Sequence, residues 1–279
     1  MNVHYVWKES TYRRNYPYVK KINKPIVVYQ FINPFCHRCW EIESTVKKLL
    51  LHFGNLITVR PIIFLPHTSS IKRSCSNNRL FSRWDLYQLS IGIKAACLQG
   101  NRIGKQFLRF IQDMIFLYEK IESVENMLQR AARWVCLDID EFCYDYYSHR
   151  TLNALESDLQ LTKEMGVTIF PSLVFFNQYD DEDIIKVANI QSYDTYKQVL
   201  YHMLHDQYDY VLHNDTPKIE DYFMRFPRAE TREIAYAFDL SIKDAEKQLI
   251  QLLLKRKVAK KEVNGKVVWE YRVTQATYK

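Results

Sequence analysis

Glycine and proline are scarce in this sequence, with six and eight residues among 279. That scarcity argues against long disordered linkers and leaves little room for a glycine-rich phosphate-binding loop. Apolar runs long enough to span a bilayer are missing, so no transmembrane helix is expected. The opening stretch, MNVHYVWKESTYRRNYPYVKK, lacks the apolar core of a secretion signal, and a cytosolic location is expected. Structural disulfides are rare in that compartment, which bears on the six cysteines. Internal repeats and low-complexity tracts are absent as well. No Ser/His/Asp constellation can be assembled from the linear order.

The composition is otherwise that of a folded chain with room for two domains, or for one domain with a large insertion. Twenty tyrosines and 15 phenylalanines point to an aromatic-rich core. The net charge of +7 is unevenly spread. Residues 1–24 carry six basic side chains against Glu9 alone, and a second basic run, KRKVAKK, spans 255–261. Such patches attract acidic partners, although most are simply solvated faces. Lys255, Arg256, Lys257, Lys260 and Lys261 are the candidates for phosphate contact. The helix before them is apolar at Ile242, Ala245, Leu249, Leu252 and Leu253, which leaves few side chains to read bases, so specific nucleic-acid binding is not expected.

Periodicity divides the chain. KPIVVYQFI (24–32) reads as a buried strand, and a helix follows from Cys36, with Ile42, Val46, Leu49, Leu50 and Phe53 at helical spacing and Gly54 as its stop. NLITVRPIIFL (55–65) completes a right-handed βαβ unit with a parallel sheet. Residues 80–165 turn wholly helical, in three to five segments with Ser123 and Asp138 as N-caps. Strands return at GVTIFPSLVFFN (166–177) and DIIKVANI (183–190), and a helix over 192–206 closes the unit. Residues 207–217 read as a linker. Beyond it, two short helices fit 218–238, a third starts at Ser241 with Asp244 placed as in a capping box, and two alternating strands meet at Asn264-Gly265, a strong hairpin signal. The expected domains are a basic extension (1–24), an α/β unit (25–79 and 166–206), a helical insertion (80–165), the linker (207–217) and a winged-helix-like end (218–279).

Chemistry concentrates at Cys36-His37-Arg38-Cys39. A cysteine at the first turn of a helix meets unpaired N–H groups and the positive end of the helix dipole, both of which favour the thiolate. His37 and Arg38 add donors or positive charge. Cys36 is the expected attacking thiolate and Cys39 the resolving thiol. Zinc sites share the CxxC spacing, but a tetrahedral site needs further ligands, and Cys75, Cys97, Cys136 and Cys143 offer no second close pair. Those four are expected to be buried and inert. Trp40 and Trp84 are assigned to cores, and His52 and His67 to surfaces or turns. Pro171, opening the strand after the helical block, is either an ordinary strand-start proline or a partner of the cysteine pair.

Strand, CxxC, helix, helical insertion and returning FPSLVFF together resemble the DsbA-like branch of the thioredoxin superfamily. That resemblance implies a thioredoxin-like sheet with an inserted all-helical domain, a cis-proline at Pro171 opposite the cysteines, and backbone groups of Phe170 offered to an extended polypeptide. A closer resemblance is carried by FINPFCHRCWEIESTVKKL, IKAACLQGNRIGKQFLRFIQ, FPSLVFFNQYDDEDIIKV, SYDTYKQVLYHML and AYAFDLSIKDAEKQLIQLLLKRKVAKKE. These stretches resemble the adapter family called SpxH or YjbH of Gram-positive bacteria, nearly end to end. The resemblance implies a non-enzymatic cytosolic adapter that binds the transcription regulator Spx and presents it to the ClpXP protease in unstressed cells. Some members have a His- and Cys-rich amino terminus credited with zinc binding; here only His4 is present, so neither metal nor other cofactor is expected. The alternative is a cytosolic DsbA-like thiol–disulfide oxidoreductase acting through Cys36 and Cys39, with Pro171 shaping the substrate groove.

Overall fold

A computed structural model of the chain describes residues 3–5, 24–65, 81–117, 122–204 and 217–272. Strands β1 (Val3–Tyr5), β2 (Ile26–Ile32), β3 (Ile57–Ile63), β4 (Ser172–Asn177) and β5 (Asp180–Ala188) form one sheet in the order β1-β5-β4-β2-β3. β2 and β3 are parallel, and the remaining pairs are antiparallel. Helix α1 (His37–Phe53) makes the crossover between β2 and β3, the βαβ unit expected from periodicity. β2 is apolar on both faces because both are covered. Ile26 and Val28 pack with α1 and with α7 (Tyr193–Leu204), whereas Phe31 packs with Val167 and Val174 on the opposite side. Pro61 is tolerated because β3 is an edge strand.

Gly54 does end α1, but in right-handed geometry (φ −62°) rather than as a left-handed cap. The reason for glycine is space. A Cβ there would lie 2.2 Å from both the Leu50 carbonyl and the Arg225 guanidinium.

Between β3 and β4 the chain forms α2 (Arg83–Leu98), α3 (Asn101–Phe116), α4 (Val124–Trp134), α5 (Ile139–Tyr146) and α6 (His149–Glu164). The caps read from sequence are present: Ser123 Oγ accepts the Asn126 N–H at 3.3 Å, and Asp138 accepts that of Glu141 at 3.0 Å. α2 and α3 approach so closely that a Cβ on Gly104 would lie 2.3 Å from Cys97 Sγ and 2.9 Å from Cys97 Cα. α6 ties this block to the sheet. Asp158 accepts the Ile63 N–H at 2.7 Å and pairs with Lys94 at 2.5 Å.

Several expectations need correction. The returning strand is Ser172–Asn177, not the whole of 166–177; Gly166 is left-handed (φ +56°), Thr168 and Ile169 are exposed, and the chain runs irregularly to Pro171. Trp84 is not a core residue but 62% exposed, stacked on Tyr87 beside an aromatic groove between α2, α4 and α5. Cys136 and Cys143 are exposed: Cys136 sits in the left-handed turn (φ +57°) that follows α4, and Cys143 on the outer side of α5. Cys97 is half-buried, and burial pushes its thiol pKa up. Cys75, His67 and residues 207–216 of the expected linker lie outside the described residues, as does most of 1–24.

The carboxy-terminal segment folds as α8 (Ile219–Arg225), β6 (Arg228–Glu230), α9 (Thr231–Ala237), α10 (Ile242–Leu254), β7 (Val258–Val263) and β8 (Lys266–Tyr271), with sheet order β6-β8-β7. Helix, helix, helix, hairpin is the expected order, with β6 added between the first two helices. Asn264 (φ +51°) and Gly265 (φ +73°) occupy the two turn positions that demand left-handed backbone. Ser241 caps α10 by accepting the Asp244 N–H at 3.1 Å; the Asp244 carboxylate takes the Ser241 hydroxyl at 2.6 Å instead of the reciprocal backbone bond of a capping box.

Candidate functional site

The loop that delivers the cysteine pair is shaped by Asn33. Its side chain accepts the Phe35 N–H at 2.8 Å and its carbonyl accepts the Cys36 N–H at 3.0 Å, turning the chain sharply into α1. Cys36 is the N-cap, in extended geometry, and its sulfur accepts the Cys39 N–H at 3.4 Å. The Cys39 sulfur is fully buried and accepts the Asn33 N–H at 3.5 Å. Phe35 stacked on Phe81 and His37 edge-on to Phe116 surround the pair.

This geometry separates the two thiols electrostatically. A hydrogen bond from the Cys39 thiol, helped by the N–H groups of Cys39 and Arg38 and by the Arg38 charge, outweighs burial and lowers the Cys36 pKa to about 7. Burial, together with proton sharing with Cys36, holds Cys39 well above its ordinary value. The pair is thereby polarised, the proton being favoured on Cys39 and the thiolate on Cys36 near neutral pH. Arg38 is exposed, and His37 sits 3.2 Å from Glu41.

The Phe170–Pro171 peptide bond is cis. Ser172 pairs with Phe31 near the end of β2, so Pro171 lies at the end of the sheet from which the Cys36 loop departs. Phe170 is half-buried, its ring 4.8 Å from that of Phe64, and it packs on the cluster containing both cysteines. Cys36, Cys39, Phe170 and Pro171, chosen from sequence, thus belong to one neighbourhood. Among the described residues, no group of three His, Cys, Asp or Glu side chains gathers at metal-ligating distance.

Sequence reasoning missed what lies behind the pair. Trp40, next to Cys39, donates its indole N–H to Asp113 at 2.9 Å. Asp113 pairs with Arg109 at 2.9 Å and with Arg228 of β6 at 3.2 Å. Arg109 reaches Glu233 of α9 at 3.0 Å, and Lys47 reaches the same carboxylate at 3.1 Å. Lys48 spans to Asp239 at 2.5 Å and to the Tyr236 carbonyl at 3.0 Å. The outer face of α1 is therefore charged and buried, and it is covered by the carboxy-terminal unit. Burial raises the Glu233 pKa, but Arg109 and Lys47 outweigh it and hold the carboxyl at about 2. Hydrophobic packing follows the same lines, with Leu51 entering the carboxy-terminal core and Val268 the helical one. The hairpin tip is also docked, the Asn264 amide donating to the Leu117 carbonyl at 2.5 Å. Three of the five candidate phosphate-contacting cations are paired: Lys257 with Glu220 at 2.6 Å, Lys260 with Glu246 at 3.8 Å and Lys261 with Glu270 at 2.6 Å.

Comparison with known proteins accords with this architecture. A thioredoxin family model matches residues 29–198. The ClpXP adapter protein SpxH of Bacillus subtilis (strain 168) is 32% identical over 270 residues, covering 88% of this chain and 89% of its own length. The ClpXP adapter protein SpxH of Halalkalibacterium halodurans is likewise 32% identical, over 90% of each chain. This chain belongs to the SpxH family. Among solved structures, a candidate protein disulfide isomerase from Nitrosomonas europaea superposes with a TM-score of 0.56 at 15% identity, covering 66% of this chain and all of that one. That match concerns the fold alone, a thioredoxin-like sheet with inserted helices. Among the described residues no helix is long and apolar enough to cross a membrane.

Proposed function

We propose that this chain is a proteolytic adapter: it binds an Spx-like transcription regulator and promotes its degradation by ClpXP in the cytoplasm, without turning over a substrate of its own. The observation that carries this reading is the extent of the similarity to adapter proteins. It covers 88–90% of the chain, whereas the thioredoxin match ends at residue 198, before the carboxy-terminal unit. Fold alone would leave function open, because thioredoxin-like sheets host many roles. The division into an extension (1–24), an α/β unit (25–79 and 166–206), a helical insertion (80–165), a linker (207–217) and a carboxy-terminal unit (218–279) belongs to the same proposal.

Adapter action needs a differential affinity. A partner that binds the client better when its degradation signal is accessible shifts the client population toward that state. A rigid platform suits this role, and the buried ion pairs between α1, α3 and α9 join the parts of the chain into one. No group of this reading requires Cys36 or Cys39. The test is binding of a purified Spx-like regulator to the Cys36→Ala/Cys39→Ala chain. Binding at wild-type affinity supports the adapter reading, and loss of binding overturns the cysteine-independent form of it.

A second reading, thiol–disulfide exchange, is favoured by a specific observation: Cys36 has the lowered pKa of an attacking thiolate and Cys39 the raised pKa of a resolving thiol. In this reading Cys36, Cys39, His37 and Arg38 form the redox pair, and Pro171 and Phe170 shape the groove. Reduction of a disulfide-linked test protein, abolished by Cys36→Ala, supports it; equal rates in both forms remove it.

A further inference from the structure

A cavity of about 450 Å³ opens where the sheet, α3 and the carboxy-terminal unit meet, away from the cysteine pair. Its volume falls within the range of small-molecule sites, roughly 300–1,000 Å³. One part of its wall is aromatic, with the Arg228 guanidinium over the Phe110 ring at 5.3 Å. Phe110 and Trp134 stack on each other with ring centroids 4.7 Å apart and planes 14° from parallel, and Phe226 also lines the space. The other part is cationic. Lys24, Arg102, Lys105 and Arg225 line the cavity, and none forms an ion pair with a described residue. The two carboxylates in the lining are already engaged. Glu43 accepts the Gln30 amide at 2.5 Å and offsets part of this charge, and Asp113 is paired with Arg109 and Arg228, so cations still outnumber carboxylates in the lining.

Arg102 and Arg225 are held in place by bonds to main-chain carbonyls, those of Met224 at 2.6 Å and Leu50 at 2.5 Å. These bonds orient the guanidinium groups without cancelling their charge. Lys105 is half-buried, and desolvation lowers its pKa even though the Glu43 carboxylate in the same lining acts in the opposite direction. An excess of cations over carboxylates in one cleft raises the local concentration of anions there.

We propose that this cleft binds a nucleotide-class ligand, its ring against the Phe110–Trp134–Phe226 wall and its phosphates against Arg102, Lys105 and Arg225. Guanidinium and ammonium groups match phosphate by charge and hydrogen-bond geometry, and flat rings gain from aromatic contact. Side chains take the role that a glycine-rich loop fills elsewhere. Because the walls come from three parts of the fold, a bound ligand ties α1, α3 and the segment 225–228 together and raises thermal stability by mass action.

The test is isothermal titration and thermal unfolding of the full chain with ADP, with adenosine and pyrophosphate as separate arms. Lys105→Gln removes the central cation. Lys243→Gln, at an exposed α10 position without an ion pair, controls for diffuse electrostatic binding. Saturable ADP binding with a raised melting temperature is expected, weaker by about tenfold or more in Lys105→Gln and unchanged in Lys243→Gln. Adenosine and pyrophosphate should each bind at least about tenfold more weakly than ADP. Absence of saturable ADP binding at millimolar ligand overturns the proposal. So does equal weakening by the two lysine variants, or pyrophosphate binding as tight as ADP.

Discussion

Replacing Glu233 by Gln is the sharpest perturbation of the platform. Glu233 is 3% exposed and shared by Lys47 and Arg109, themselves buried or nearly so. Gln preserves the shape and can still accept the Glu230 N–H that now lies 3.0 Å from the carboxylate. It leaves three cations, Lys47, Arg109 and Arg228, around one anion, Asp113, where two carboxylates stood before. Removing one member of a buried pair costs about 3–5 kcal/mol, mostly from the stranded charge. An independent route gives a similar size. The Glu233 pKa falls from 4.5 to about 2 on folding, and each unit is worth about 1.4 kcal/mol, for a total of about 3 kcal/mol. The sign follows from the depressed folded value: this stability is present above the unfolded pKa, and it is lost as pH falls from about 4.5 toward 2. Urea titrations of both forms at neutral pH should differ by about 3 kcal/mol. The gap should narrow as pH is lowered through that window, because the native carboxyl then protonates too. A difference below about 1 kcal/mol at neutral pH, the size of an exposed pair, would refute the buried-cluster reasoning.

Three further expectations follow from particular contacts. Alkylation of reduced protein should titrate with a midpoint near pH 7 at Cys36, while Cys39 stays unreactive; a midpoint near 9 would contradict the N-cap geometry. Gly104→Ala should destabilise the chain by about 1–3 kcal/mol, because its Cβ meets the Cys97 backbone; a neutral result in urea titration would mean α2 and α3 are not so tightly apposed. Disrupting the docked hairpin with Asn264→Ala should lower the melting temperature, since the Leu117 carbonyl loses this donor and Ala tolerates left-handed backbone less well than Asn; an unchanged value would count against docking of the tip.

What could be read from sequence was local. The β2–α1–β3 unit announced itself through an apolar strand run and helical spacing at Ile42, Val46, Leu49 and Phe53. The Asn264-Gly265 turn follows from backbone sterics at two residues, and the Ser123 and Asp138 caps from one hydrogen bond each. Reading Cys36 as the first-turn thiolate also needed only the helix start. The failures were non-local. Lys47 and Glu233 are 186 positions apart, and nothing in the sequence around either one points to the other. Nothing near Trp84 in the sequence distinguishes an aromatic that enters a core from one that lines an open groove. The over-extended strand at 166–177 failed because β-branched and aromatic residues in TIF resemble a strand even where Gly166 and Pro171 turn the chain.

Delivery of a regulator to a protease is the activity proposed for this chain. The most direct measurement is degradation of a purified Spx-like regulator by ClpXP, with and without the chain, in wild-type and Cys36→Ala/Cys39→Ala forms. Faster degradation is expected with both forms, at stoichiometric rather than catalytic amounts of the chain. No acceleration by either form would contradict it and leave thiol–disulfide exchange at Cys36 as the better reading.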